Sequence, residues 1–177
     1  MDEVRSPAGP VLVLVGPPGA GKSTVGALVA DRLGVGLRDT DADIEAEAGA
    51  PVSEIFIDSG EDRFRALERD AVRRALREHA GVLVVGGGAV LDPEIRELLR
   101  AHPVVYLAVS LPDAVKRLGL ARDRPVALGN PRSQLLALLQ AREPLYAEVA
   151  RATVHTDGKA AAEVAAAVIA TSRRSER

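Results

Sequence analysis

Residues 16–24 read GPPGAGKST. Gly16, Gly21, Lys22 and Ser23 fit the spacing G-x-x-x-x-G-K-[ST], with Gly19 as an additional glycine. Background composition yields that spacing in roughly one chain in a hundred of this length. The context narrows it further, because the apolar run VLVLV precedes it and the helical pattern VGALVADRL follows. Glycines let such a loop curl until successive backbone N–H groups face one point, and the following helix adds the positive end of its dipole. The chemistry is the holding of a polyphosphate by Gly19, Ala20, Gly21 and Thr24, with the Lys22 ammonium on the outer phosphates. The Ser23 hydroxyl is then a ligand for Mg2+. The expected ligand is a nucleoside triphosphate with magnesium; the alternative is a glycine-rich turn that holds nothing.

A second group of acids stands in RDTDADIE, at Asp39, Asp41 and Asp43. A calcium loop also starts D-x-D-x-D, but here Ile44 stands where it needs glycine and Ala50 where it needs glutamate. Asp41 or Asp43 capping the next helix is a second reading, and it is compatible with a site. At the carboxyl end of a parallel strand beside a phosphate loop, one such acid can hold Mg2+ through water and another can accept a proton from an attacking hydroxyl. The apolar runs at 82–85 and 104–109 end in Gly86 and Ser110, so neither supplies that acid, and the guanine-reading N-K-x-D pattern is absent. A small kinase remains, with its acceptor across the sheet from the nucleotide.

The elements that must position these residues alternate. Strands are expected at Val11–Val15, Val35–Arg38, Val82–Val85, Val104–Val109 and Thr153–Thr156. Helices are expected at Lys22–Leu33, 61–80, 93–101 (Asp92 as cap, Pro93 at the first position), 111–118, 131–150 (Asn130 as cap) and about 160–172. Alternation of this kind predicts an α/β fold, a parallel sheet with helices on both faces, in one domain with its core at about 11–170 and frayed ends at 1–10 and 171–177. The stretch 119–130, GLARDRPVALGN, has no period and reads as a functional lid or a disordered loop.

Composition excludes other classes. The net charge is −2 and aromatics are 2%, which gives no surface for nucleic acid or membrane. There is no cysteine, and His79, His102 and His155 lack metal-ligand spacing. No apolar run approaches the ~18 residues of a membrane span. The opening MDEVRSPAGP does not read as a signal peptide, so a cytoplasmic protein is expected.

GPPGAGKST, LRDTDADIE, IFIDSGEDRFRALE, VLVVGGGAV, RPVALG and AREPLYAEVA, in this order between about Val11 and Ala150, resemble the shikimate kinase family. The resemblance implies a three-layer P-loop kinase fold with a five-stranded parallel sheet in the order 2-3-1-4-5. It implies ATP-dependent phosphorylation of the 3-hydroxyl of shikimate, on the route to chorismate and the aromatic amino acids, with Mg2+ and usually as a monomer.

It also implies roles. Asp39 looks like the acid holding Mg2+ through water beside Ser23. Asp41 looks like the residue that binds the shikimate hydroxyls and serves as general base, whereas Asp43 reads as a solvated acid at a helix start. Arg65 reads from the residues alone as paired with Glu61, four positions back. By resemblance Arg65 and Arg142, the latter just before the helix-breaking Pro144, clamp the shikimate carboxylate. Gly86–Gly88 suggest close backbone approach to a ligand, with Gly87 and Gly88 the substrate-binding candidates. Phe56 and Phe64 resemble pocket walls or core. Arg124, rather than Arg122, matches the lid arginine over the phosphates, and Arg117 the arginine that stacks on adenine. The region HTDGKAAAEV departs from the family's adenine loop, which leaves purine preference less defined. The rival readings are a gluconate kinase or nucleoside monophosphate kinase on the same fold, and a non-catalytic nucleotide-binding module.

Overall fold

The structure, a computed structural model, describes residues 9–120 and 130–174. Strands β1 (Leu12–Val15), β2 (Leu37–Asp39), β3 (Val82–Val84), β4 (Val104–Ala108) and β5 (Ala152–His155) form one parallel sheet in the order β2-β3-β1-β4-β5. The three inner strands are buried along their whole length, which is why they read as unbroken apolar runs. The edge strands β2 and β5 alternate with polar residues and are partly exposed.

Alternation along β1 divides the core in two. Val13 and Val15 point to one face, where helices α3 (Val52–Glu78), α4 (Pro93–Leu99) and α6 (Pro131–Val149) contribute Val72, Leu76, Ile95, Leu99 and Tyr146. Leu12 and Leu14 point to the other, against Val25 and Val29 of α1 (Lys22–Leu33) and Val164 and Val168 of α7 (Ala161–Arg174). Each fully buried Val or Leu contributes roughly 1.5–3 kcal/mol, so the two faces fix which way the sheet lies between its helix layers.

Two helical pieces are new relative to the sequence reading. Helix α2 (Thr40–Ala48) buries only Thr40 and Ile44, so its stripe is too thin to show as a period. Helix α3 starts at Val52 rather than 61; the hydrogen-bonded run is broken by non-helical geometry at Gly60 (φ 81°, ψ 168°), and the expected helix is the part after that kink. Strand β2 begins two residues later than expected, after Gly36 accepts the Val82 N–H. Helix α6 runs through Pro144, as the expected span 131–150 requires, with Tyr146 and Val149 beyond the proline packed into the core. Helix α5 (Leu111–Arg117) leads toward the expected lid, of which 121–129, with Arg122 and Arg124, lie outside the described residues.

Asp92 and Asn130 cap their helices as expected. Asp92 Oδ1 accepts the Glu94 N–H at 2.8 Å while Oδ2 takes the Arg69 guanidinium of α3 at 2.7 Å, so one carboxylate both starts α4 and ties it to α3. Loss of a cap together with a largely buried ion-pair partner predicts that Asp92→Ala lowers unfolding stability by about 2 kcal/mol. Asp92→Asn, which keeps a cap acceptor, loses less. Urea denaturation of both variants checks the difference, and equal losses would contradict the capping role.

Candidate active site

The chain leaves β1 at Val15, curls through Gly16–Gly21 and enters α1 at Lys22. Gly21 occupies the N-cap position at φ 88°, a left-handed geometry that glycine adopts without strain, and no side chain caps the helix. The first N–H groups of α1 therefore point into a cleft of about 460 Å³ lined by Gly19, Lys22, Ser23, Asp39, Asp41 and Gly87, among others. The cleft lies beyond the carboxyl ends of β1 and β3, where the sheet order places β2 and β4 on opposite sides of this pair.

Lys22 donates its ammonium to the Gly16 carbonyl at 2.7 Å and the Pro17 carbonyl at 3.2 Å. Burial lowers its pKa to about 8, against the pull of Asp41 and Asp39 and with a further push from Arg142. Ser23 Oγ donates to Asp39 Oδ2 at 3.3 Å, so the expected magnesium pair stands together. Asp39, rather than Asp41 or Asp43, caps α2, with Oδ1 accepting the Asp41 N–H at 2.9 Å. That bond turns the Asp41 side chain toward the cleft. Burial raises the Asp41 pKa first and repulsion from Asp39 raises it further, while Lys22 and Arg65 oppose both. Asp43 is not a freely solvated acid: it pairs with Arg38 of β2 at 2.7 Å, and Arg38 also holds Glu78 at 3.1 Å.

The glycine run after β3 packs against these groups. A Cβ on Gly86 would stand 2.5 Å from Asp41 Oδ1, and one on Gly88 would stand 2.6 Å from Arg65 Nη1. Both positions exclude a side chain because the catalytic-type groups already occupy that space. The Gly86 N–H donates to the buried Thr40 hydroxyl at 3.1 Å, which fastens the run to the start of α2. Arg142, from α6, reaches the same run near Gly87.

Arg65 stacks its guanidinium over Phe56 and Phe64, 5.6 and 5.4 Å from their centroids. The expected pair with Glu61 exists at 3.7 Å, but the tighter partner is Glu68 at 2.8 Å. Glu68 is only 1% exposed, and burial raises its pKa against the hydrogen bond and charge of Arg65. The sequence reading missed it. The signal was present: Phe64, Glu68, Ala71 and Ala75 share the buried stripe of α3, and a carboxylate on such a stripe needs a partner.

On the nucleotide side Arg117 ends α5 and donates to Gly19 O at 3.0 Å, Thr156 Oγ1 at 2.9 Å and Thr156 O at 2.8 Å. It thereby joins the phosphate loop to the turn after β5. Beside it lies a recess of about 190 Å³ lined by Ala20, Thr24, Thr156, Lys159, Ala161 and Val164.

The family model for shikimate kinase matches residues 18–173. The shikimate kinase of Frankia casuarinae is 60% identical over 154 residues, 87% of this chain and 68% of that protein. The shikimate kinase of Salinispora arenicola is 58% identical over 161 residues, 91% of this chain and 96% of that one. The chain belongs to the shikimate kinase family. A shikimate kinase from Acinetobacter baumannii, solved in complex with shikimate, superposes with a TM-score of 0.87 at 35% identity, covering 96% of each chain. Family membership decides against the gluconate kinase and nucleoside monophosphate kinase readings, and the sheet order is the expected 2-3-1-4-5. Of the expected site residues, all but Arg124 lie among the described residues; most line the cleft or its adjoining recess, and Arg65, Gly88 and Arg142 lie together at or beside the glycine run that borders it.

Removing one partner of a buried charge pair strands the other, at about 3 kcal/mol. Glu68→Ala is therefore expected to lower the urea midpoint markedly, and Glu68→Gln, which still accepts from Arg65, to restore part of it. A midpoint unchanged in both variants would contradict the pairing.

Proposed function

We propose that ATP lies on Gly19–Thr24 and shikimate on Gly86–Gly88, and that Asp41 takes the proton of the shikimate 3-hydroxyl as its oxygen attacks the γ-phosphorus. Phosphorylation of shikimate by ATP is the activity of the family to which the chain belongs. The residue-level reading is carried by one observation: Asp41 lines the same cleft as Lys22 and Ser23, and its Oδ1 lies against the glycine run, 2.5 Å from where a Cβ on Gly86 would stand. A base there stands between the two substrates.

As the new O–P bond forms, the bond from the γ-phosphorus to the bridging oxygen breaks and its electron pair leaves with ADP. The raised proton affinity of Asp41 suits it to accept the hydroxyl proton. Lys22, and Arg124 by family resemblance, neutralise charge on the transferring group. Arg65 and Arg142 hold the carboxylate of shikimate from two helices, and the N–H groups of Gly87 and Gly88 bind its other oxygens. The recess beside Arg117 takes the purine, with the guanidinium stacked on it.

Ser23 and Asp39 fit Mg2+, since a hydroxyl and a carboxylate are hard oxygen donors and stand together at the mouth of the phosphate loop. Ser23 would bind it directly and Asp39 through water, and the ion, when bound, supplies neutralisation of the β- and γ-phosphates. The family resemblance supports a monomer as the active unit.

Purified protein with ATP and Mg2+ is expected to release ADP when shikimate is added, and not with gluconate or nucleoside monophosphates. Asp41→Asn should lower kcat about 10³-fold while the Kd for ATP stays nearly unchanged. In the wild type, activity is expected to fall on the acid side at a higher pH than an unperturbed aspartate would give, because burial and Asp39 raise the Asp41 pKa and protonation removes the base. Release with the other acceptors would contradict the substrate, and undiminished turnover in Asp41→Asn the base.

A further inference from the structure

The glycine run is held from behind by a single side chain of α6. Tyr146 is 1% exposed and donates its hydroxyl to the Gly87 carbonyl at 2.6 Å. Its ring stacks on Tyr106 of β4, with centroids 5.1 Å apart and planes 23° apart, so the phenol is held in place by packing independent of its hydrogen bond. Arg142 stands one turn earlier on the same helix, and its charge acts on the same phenol. A Cβ on Gly87 would lie 3.8 Å from Arg142 Nη1, so the guanidinium and the glycine run are near neighbours.

The geometry of the peptide unit gives this bond a consequence. In a trans peptide the C=O and the next N–H point in opposite directions, and the described chain has no cis peptide. Drawing the Gly87 carbonyl toward α6 turns the Gly88 N–H away from α6. Among the described residues neither the Gly87 nor the Gly88 N–H meets a protein acceptor, whereas Gly86, Ala89 and Leu91 all do. A run of three glycines has wide backbone freedom, and presenting two free donors in one arrangement has an entropic cost that a fixed anchor removes in advance.

We infer that Tyr146 is a positioning residue for the acceptor: its hydroxyl fixes the Gly87–Gly88 peptide plane beside the Arg142 guanidinium. The inference rests on the proposed acceptor site. It assigns to Tyr146 no contact with shikimate; its effect passes through the Gly88 N–H.

Tyr146→Phe removes the hydroxyl and keeps the ring and its stacking. The variant is expected to raise the KM for shikimate about tenfold, the equivalent of one hydrogen bond, while the KM for ATP stays within about twofold. Tyr106→Phe, which leaves Gly87 untouched, should leave both constants unchanged. An unshifted shikimate KM in Tyr146→Phe, or equal rises in both constants, would overturn the inference and point to packing alone. A wild type that does not use shikimate would instead overturn the acceptor reading beneath it.

A second measurement keeps the hydroxyl in place. The protein has two tyrosines, so 3-fluorotyrosine labelling gives two fluorine resonances, assigned with Tyr106→Phe. The Tyr146 resonance should shift on addition of shikimate and much less on addition of ATP. A Tyr146 resonance indifferent to shikimate would also overturn the inference.

Discussion

The Lys22 ammonium is partly desolvated, its hydrogen-bond partners among the described residues are the Gly16 and Pro17 carbonyls, and the rest of the site is arranged around that cost. Two carboxylates, Asp39 and Asp41, stand near enough to favour its charge, yet neither forms an ion pair with it among the described residues. Asp39 is engaged with Ser23 and the α2 backbone, and Asp41 is itself partly desolvated. The cleft thus holds incompletely compensated charge, which, in the function proposed, the phosphates of ATP and the carboxylate of shikimate complete. Preorganised, poorly hydrated charges of this kind act strongly on a developing phosphoryl charge, because little reorganisation is needed at the moment of transfer.

Holding such charges apart requires close backbone. Gly86 and Gly88 carry no side chain because Asp41 and Arg65 fill the space a Cβ would take. Thr40 fastens this run to α2 from one side and Tyr146 from the other. Glu68 fixes Arg65 from within the core, and Arg117 links the phosphate loop to the turn after β5. Each anchor comes from a different helix or turn packed on the sheet, so the two-sided core does more than stabilise: it sets the angles at which charges meet.

The parts legible in the sequence were those written in local pattern. Unbroken apolar runs marked β1, β3 and β4, and the glycine-lysine-serine spacing marked the phosphate loop with its flanking strand and helix. Asp92 and Asn130 announced their helices by cap chemistry. Helix α2 was not drawn because two buried residues make no period, and the kink at Gly60 hid the first part of α3. The partner choices were illegible for a different reason. That Asp43 pairs with Arg38, or that Arg65 prefers Glu68 over Glu61, depends on which face each side chain turns to the core. Pro144 lies inside the expected helix 131–150, which runs on because Tyr146 and Val149 beyond it are packed into the core.

The claim that ligand phosphates complete a buried, under-compensated lysine is tested most directly by counting protons on binding. With the Lys22 pKa lowered to about 8, half of the free protein carries it neutral at that pH, and bound phosphates restore the ammonium. Calorimetric titration of ATP with Mg2+ at pH 8, in buffers of different ionisation enthalpy, should show uptake of about half a proton. The uptake should shrink toward zero as the pH is lowered, where the lysine is already charged, and vanish in Lys22→Met. No uptake at pH 8, or the same uptake in Lys22→Met, would contradict the account.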